Sequence, residues 1–189
     1  MLVEITEADH GILLDLTYAT PRNFTGAPIY ARPACFLHPD AFALLIRARD
    51  LAGAQGLRLR IFDAFRPAEA QRAMWRHTPD PAFVADPAKG SNHSRGVAVD
   101  LTLADAGSGA GLAMGTPFDS FLPQSHHGRT DIPREAQANR SRLLGIMTAA
   151  GWEFYGNEWW HYQMFGAAAR YPLLSDSVLP RSMMQGETP

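Results

Sequence analysis

The chain has a single cysteine, Cys35, among its 189 residues. No internal disulfide can form, and nothing asks for an oxidising compartment. It also lacks a basic run: 17 lysines and arginines stand against 19 aspartates and glutamates, spread along the chain, for a formal net charge of -2. That balance argues against nucleic acid or an anionic membrane as partner, because both are held by clustered positive charge. No stretch reaches the roughly 18 uninterrupted apolar residues of a membrane helix. The opening segment MLVEITEADHGILLDL carries Glu4, Glu7, Asp9 and Asp15 among its apolar residues, with neither the basic start nor the small-residue cleavage site of a secretion signal. The expectation is a soluble cytoplasmic protein with one substantial core, too short for two ordinary domains.

What the chain has in excess is histidine and tryptophan, seven and four, several of them close together. Around them the pattern of elements is plain. Residues 38–55 place Ala41, Leu44, Leu45, Ala48, Leu51 and Ala52 at helical spacing behind Pro39 and Asp40, with Gly56 as a stop. The stretch LRLRIFDAF alternates like a half-buried strand, and Arg66-Pro67 then opens a helix running to about His77. Residues 78–90 read as a Pro- and Asp-rich loop, 96–103 as a strand, and 104–119 as an ordered glycine-rich excursion. A helix over 134–150 stops at Gly151, and two short aromatic strands, WEFY and WWHYQMF, flank Gly156-Asn157. The prediction is one α+β domain over 1–189 with a mainly antiparallel central sheet flanked by helices, and a loosely held tail over 172–189.

Two clusters carry chemistry. In SNHSRGVAVD a loop histidine, His93, precedes a strand that bears Asp100. If the loop folds back over that strand face, both can meet one ion, since zinc takes N and O ligands at about 2.0–2.2 Å. Taken alone, the pair also suits a surface loop and a strand-end aspartate. In NEWWHYQM, Glu158 and His161 lie three apart in an aromatic stretch, where a buried glutamate is costly without a cation or a shared proton. Positions three apart in one strand face opposite sides, so both reach one site only if Glu158 lies in the turn. His161 could equally be a satisfied core histidine. Together the clusters offer two histidines and an aspartate as ligands and one carboxylate left over, the composition of a catalytic zinc site with its general base. Arg66, between a strand end and Pro67, is aimed either at an oxyanion or at a plain ion pair with Asp63.

The motif SxHxxGxAxD with a later ExxH, here Ser91, His93, Gly96, Ala98, Asp100, Glu158 and His161, resembles the zinc signature of the LAS-type metallopeptidases. LTYAT, NFTG, DAFRP, SRGVAVDLTL, MGTPFD, SHH, NRSRLL and EWWHY follow the order found in the D-alanyl-D-alanine dipeptidase, or VanX, family, from about Asp15 to Tyr162. The resemblance implies the LAS/hedgehog-like zinc peptidase fold and one Zn2+ per chain. It implies that His93, Asp100 and His161 hold the metal, that Glu158 is the general base and acid, and that Arg66 steadies the tetrahedral intermediate. It further implies Asp119 toward a substrate ammonium, with Tyr18 and Ser91 lining the pocket. The implied partner is a small dipeptide, D-Ala-D-Ala.

Departures from the family pattern are Asn92 inside the zinc loop and shorter loops around 78–90 and 104–113, expected near the pocket mouth. His126 and His127 are expected to support the site rather than ligate. Trp159 and Trp160 are expected to form the apolar surroundings of Glu158. Two rivals stay open on sequence grounds: a D,D-carboxypeptidase or L,D-endopeptidase acting on longer peptidoglycan peptides, and a silent zinc-binding module.

Overall fold

A computed structural model describes residues 1–81 and 84–184. Two strands, β1 (Val3–Ile5) and β3 (Cys35–Leu37), pair antiparallel as a small separate sheet, with the short helix α1 (Glu7–His10) and strand β2 (Leu13–Leu14) between them in sequence. The main sheet is built from β2, β4 (Leu57–Asp63), β5 (Ala98–Asp105), β7 (His161–Gln163) and β6 (Glu153–Phe154), in that spatial order. Only the β2–β4 pair is parallel, so the sheet is mainly antiparallel, as expected. Helices α2 (Pro39–Gly53), α3 (Ala68–His77), α4 (Arg134–Ala150) and α5 (Ala167–Arg170) complete a single α+β domain.

Helix α2 starts where the sequence says it must. Pro39 sits in its first turn, and the His38 ring accepts from the Asp40 N–H at 3.2 Å. Its buried stripe is Ala41, Leu45, Ala48 and Ala52, whereas Leu51, expected inside, is exposed. With α4 it covers one face of the sheet, meeting Leu59 and Ile61 of β4 and Leu101 and Leu103 of β5. That burial leaves the alternate residues of β5, Ala98, Asp100, Thr102 and Ala104, on the opposite face. The chemistry sits there.

The tail departs from expectation. Residues 172–184 are anchored at fixed points: Met183 is fully buried beside Tyr30, Phe36 and Phe65, and its carbonyl accepts from Ala31 N at 2.8 Å. Leu174 donates to Ser94 O at 2.8 Å and accepts from Ala68 N at 3.1 Å. The sequence signal failed because this segment has no periodicity and gains its order from distant elements. Residues 185–189 of the expected tail lie outside the described residues. Among the described residues no helix is long and apolar enough to cross a membrane.

Candidate active site

Asp63, Asp100 and His161 face one another across three adjacent strands, since Asp63 pairs with Asp100 and Asp100 with His161. Along β4 the odd residues face the core, so Asp63 would be lost to that side in a regular strand. A register shift between Ile61 and Asp63 swings it into line with Asp100 instead. His93 comes from a short 3-10 turn, His93–Arg95, that ends on Gly96 at φ 69°. Glycine suits that left-handed backbone, and a Cβ there would meet the Leu2 side chain at 2.9 Å.

The three expected ligands converge. His161 Nδ1 lies 3.0 Å from Asp100 Oδ1 and 3.1 Å from His93 Nε2, and His93 Nε2 lies 3.3 Å from Asp100 Oδ1. Tetrahedral coordination with bonds of about 2.0–2.1 Å puts neighbouring donors about 3.3 Å apart, so the triangle fits a small divalent cation. The protons agree. Ala64 O can only accept, so the 2.7 Å contact to His93 Nδ1 places the hydrogen there and leaves Nε2 bare. Gln163 Oε1, 3.1 Å from His161 Nε2, places a hydrogen on that nitrogen, so the neutral ring presents a bare Nδ1. With both rings neutral, two bare nitrogens and a carboxylate oxygen crowded together call for a positive charge between them, a shared proton or a metal ion. These three residues form a group able to hold a metal ion.

Glu158 lies in the turn before β7, its N–H donating to Tyr155 O at 3.2 Å, so the parity objection is removed. It lines the same cleft of about 290 Å³ as the three ligands, Arg66 and Asp119. Burial raises its pKa, which His161 partly opposes and Asp100 reinforces. Trp160 borders the cleft too, but Trp159 does not. Instead its Nε1 donates to Thr116 Oγ1 at 2.9 Å and its ring stacks under the Arg140 guanidinium. The expectation that both tryptophans surround Glu158 therefore holds for one, because adjacent residues in the turn point to opposite sides.

Arg66 makes the ion pair with Asp63 that one of its sequence readings expected, and it also lines the cleft. Its Nε and Nη2 each lie 2.9 Å from Asp63 Oδ2, Nη1 donates to Gln71 Oε1 at 3.1 Å, and Nη2 sits 3.5 Å from Asp100 Oδ2. Tyr30 Oη donates to the other Asp63 oxygen at 2.8 Å. The ion pair with Asp63 thus holds the arginine beside the metal-ligand candidate Asp100. Asp63 is expected from the sequence only as an ion-pair partner, nothing there singles out Gln71 and Tyr30, and only the structure assembles the three around Arg66.

Asp119 is the one non-glycine residue with positive φ among the described residues, at 60°. Its Oδ1 accepts from Tyr18 Oη at 2.9 Å, while its Oδ2 is buried with no hydrogen-bond partner. Burial and the nearby negative Asp100 push its carboxyl up to about 8, against the opposing effects of Tyr18 and Arg66. A strained backbone thus holds a half-satisfied carboxyl group in the cleft, with one oxygen able to pair with a cationic group. Tyr18 is itself buried under the Arg66 guanidinium, 5.0 Å from ring to Cζ. Ser91 lines the cleft and its Oγ accepts from His93 N at 3.2 Å.

The loop that carries Asp119 is pinned by Arg140 of α4, which donates to Met114 O at 2.6 Å, Gln124 O at 2.7 Å and Thr116 Oγ1 at 3.2 Å. His127 holds the other flank: its backbone N–H donates to Gly156 O at 2.9 Å. Burial and Arg140 push the His127 pKa down to about 4, so it is neutral at neutral pH. Of the two loops expected at the mouth, 78–90 contributes Pro81, Val84, Ala85 and Gly90. The 104–113 loop does not; it folds back on β5 through the Ala104–Gly111 bridge.

The family model described as D-ala-D-ala dipeptidase, Peptidase_M15, matches residues 1–179. A D-alanyl-D-alanine dipeptidase of Escherichia coli K12 is 43% identical over 93% of this chain and 90% of its own length. Those of Streptomyces coelicolor and Enterococcus faecium are 37% and 34% identical, over 85% and 84% of this chain and 89% and 88% of their own. Among solved structures, a vancomycin-resistance D,D-pentapeptidase in complex with Zn(II) overlaps loosely, with a TM-score of 0.46 and 17% identity over 72% of this chain and 78% of that one. With the family model spanning nearly all of the domain that builds the cleft, this chain belongs to the D-Ala-D-Ala dipeptidase family of the M15 peptidases.

Proposed function

We propose that the chain is a zinc dipeptidase that hydrolyses D-Ala-D-Ala to free D-alanine, with one zinc held by His93, Asp100 and His161. The observation that carries this reading is the buried, unpartnered Oδ2 of Asp119 in the same cleft as the three ligands. A carboxylate there recognises a free amino terminus close to the scissile bond, which suits a dipeptide and penalises longer or N-blocked peptides. The bound ion supplies Lewis acidity and a water made acidic enough to attack at neutral pH. Glu158 takes the proton of the attacking water and returns it to the departing amine, and its raised pKa suits both proton transfers. Arg66, fixed by Asp63 and Gln71, faces the oxygen that becomes negative as the carbonyl is attacked. Tyr18 orients Asp119, and Ser91 stiffens the loop under His93.

Balanced charge and a single buried cysteine suit a cytoplasmic enzyme of cell-wall precursor metabolism, in glycopeptide resistance or D-alanine recycling. The deciding assay compares D-Ala-D-Ala, its N-acetyl derivative and a longer peptidoglycan stem peptide, each with and without chelator. Turnover confined to the free dipeptide and lost with chelator is the expected result. Preference for the stem peptide would instead mean a carboxypeptidase or endopeptidase, and metal binding without any hydrolysis a silent module. Arg66→Gln is expected to lower kcat by about 10²–10³-fold with zinc retained; an unchanged kcat would remove Arg66 from the oxyanion role.

A further inference from the structure

Gln163, which no sequence motif marks, stands at the junction of both metal-bearing segments. It lies two residues after His161 on the same face of β7, and its register partner on β6 is Glu153. Its Nε2 donates to Glu153 Oε2 at 2.9 Å, and its Oε1 accepts from Asn92 Nδ2 at 2.8 Å beside the 3.1 Å contact to His161 Nε2. The sense of the amide follows from its neighbours: the Glu153 carboxylate only accepts, so the amino group of Gln163 must turn to it and the carbonyl oxygen must turn to His161. A carbonyl oxygen cannot donate, so His161 carries a hydrogen on Nε2, and the neutral ring then presents a bare Nδ1 to Asp100 and His93.

We infer that Gln163 is a positioning residue of the metal centre: oriented by Glu153, it selects the ligating tautomer of His161, and through Asn92 it locks the His93 loop to β7. The inference rests on the zinc reading proposed above. It also gives Asn92, a departure from the family pattern, a physical role, because the Asn92 side chain supplies the second hydrogen bond that fills the remaining lone pair of Gln163 Oε1.

The test reads zinc affinity by competition with a chromophoric chelator, independently of turnover. Gln163→Leu, which removes the acceptor, is expected to weaken zinc about 10–100-fold with the melting temperature of the metal-free protein unchanged. The exchanged pair Glu153→Gln with Gln163→Glu keeps an acceptor toward His161 and a donor–acceptor contact between the strands, so it should bind zinc within about threefold of wild type. Wild-type affinity in Gln163→Leu, or equal loss in the exchanged pair, overturns the inference and leaves the zinc reading intact. Absence of zinc binding by the wild-type chain overturns both. Should Gln163→Leu fail to fold, Gln163→Met, similar in shape and lacking the amide, takes its place with the same two outcomes.

Discussion

Replacing Glu158 with glutamine is expected to lower kcat for D-Ala-D-Ala by about 10²–10⁴-fold while zinc stays bound with wild-type affinity. The side chain keeps its shape but can no longer take a proton from water, and the three ligand atoms, on β5, β7 and the His93 turn, do not include it. Burial raises the Glu158 pKa even though His161 draws it down, which favours the protonated form that donates to an amine. The effect is therefore on the chemical step, so KM should move far less than kcat. Steady-state release of D-alanine and metal content after gel filtration check it together. A variant with near-normal kcat, or one that loses zinc, would remove Glu158 from the role of general base.

Asp119→Asn should separate activity from stability in opposite directions. Truncating one partner of a desolvated charge pair costs about 2–5 kcal/mol, so kcat/KM for the free dipeptide should fall about 30- to 3000-fold. An N-acetylated dipeptide, which has no ammonium to lose, should show no further decline. Stability moves the other way. The folded-state carboxyl is raised from its ordinary 3.8 to about 8 by burial and by Asp100, so the folded protein binds that proton more tightly than the unfolded chain. The folded state thus bears no penalty below about pH 4, a growing one as pH rises, and the whole of it above about 8. Asparagine removes the charge, tolerates the 60° φ and can still accept from Tyr18. The gain should reach several kcal/mol above about pH 8, a melting temperature higher by on the order of 10 °C, and should vanish near pH 4. Equal melting curves across that range would mean that Asp119 carries no stored cost.

The parts of the fold that were legible are those whose signal is local. Helices α2 and α4 and strands β4 and β5 announce themselves by periods of 3.6 and 2, which need no knowledge of the partner. Strands β1, β2 and β3, of two or three residues, carry no such period and exist only because distant strands pair with them. The anchored tail escaped notice for the same reason: Met183 is buried by Tyr30, Phe36 and Phe65, far away in sequence. Trp159 misled because residue type says that a side chain is apolar but not which side of a turn it leaves from.

The sequence by itself determined the chemistry available: two imidazoles and a carboxylate at ligand spacing, a spare glutamate in an aromatic turn, an arginine before proline, and Asp119 in MGTPFD through family resemblance. Only the tertiary structure decided how they meet. The register shift after Ile61 brings Asp63 beside Asp100, Gln163 and Ala64 set which nitrogen of each histidine is bare, and Arg140 shapes the loop that strains Asp119. Donor and acceptor identity is a property of one residue, whereas tautomer, strain and convergence are properties of neighbours in space, and neighbours are chosen by strand pairing and core packing.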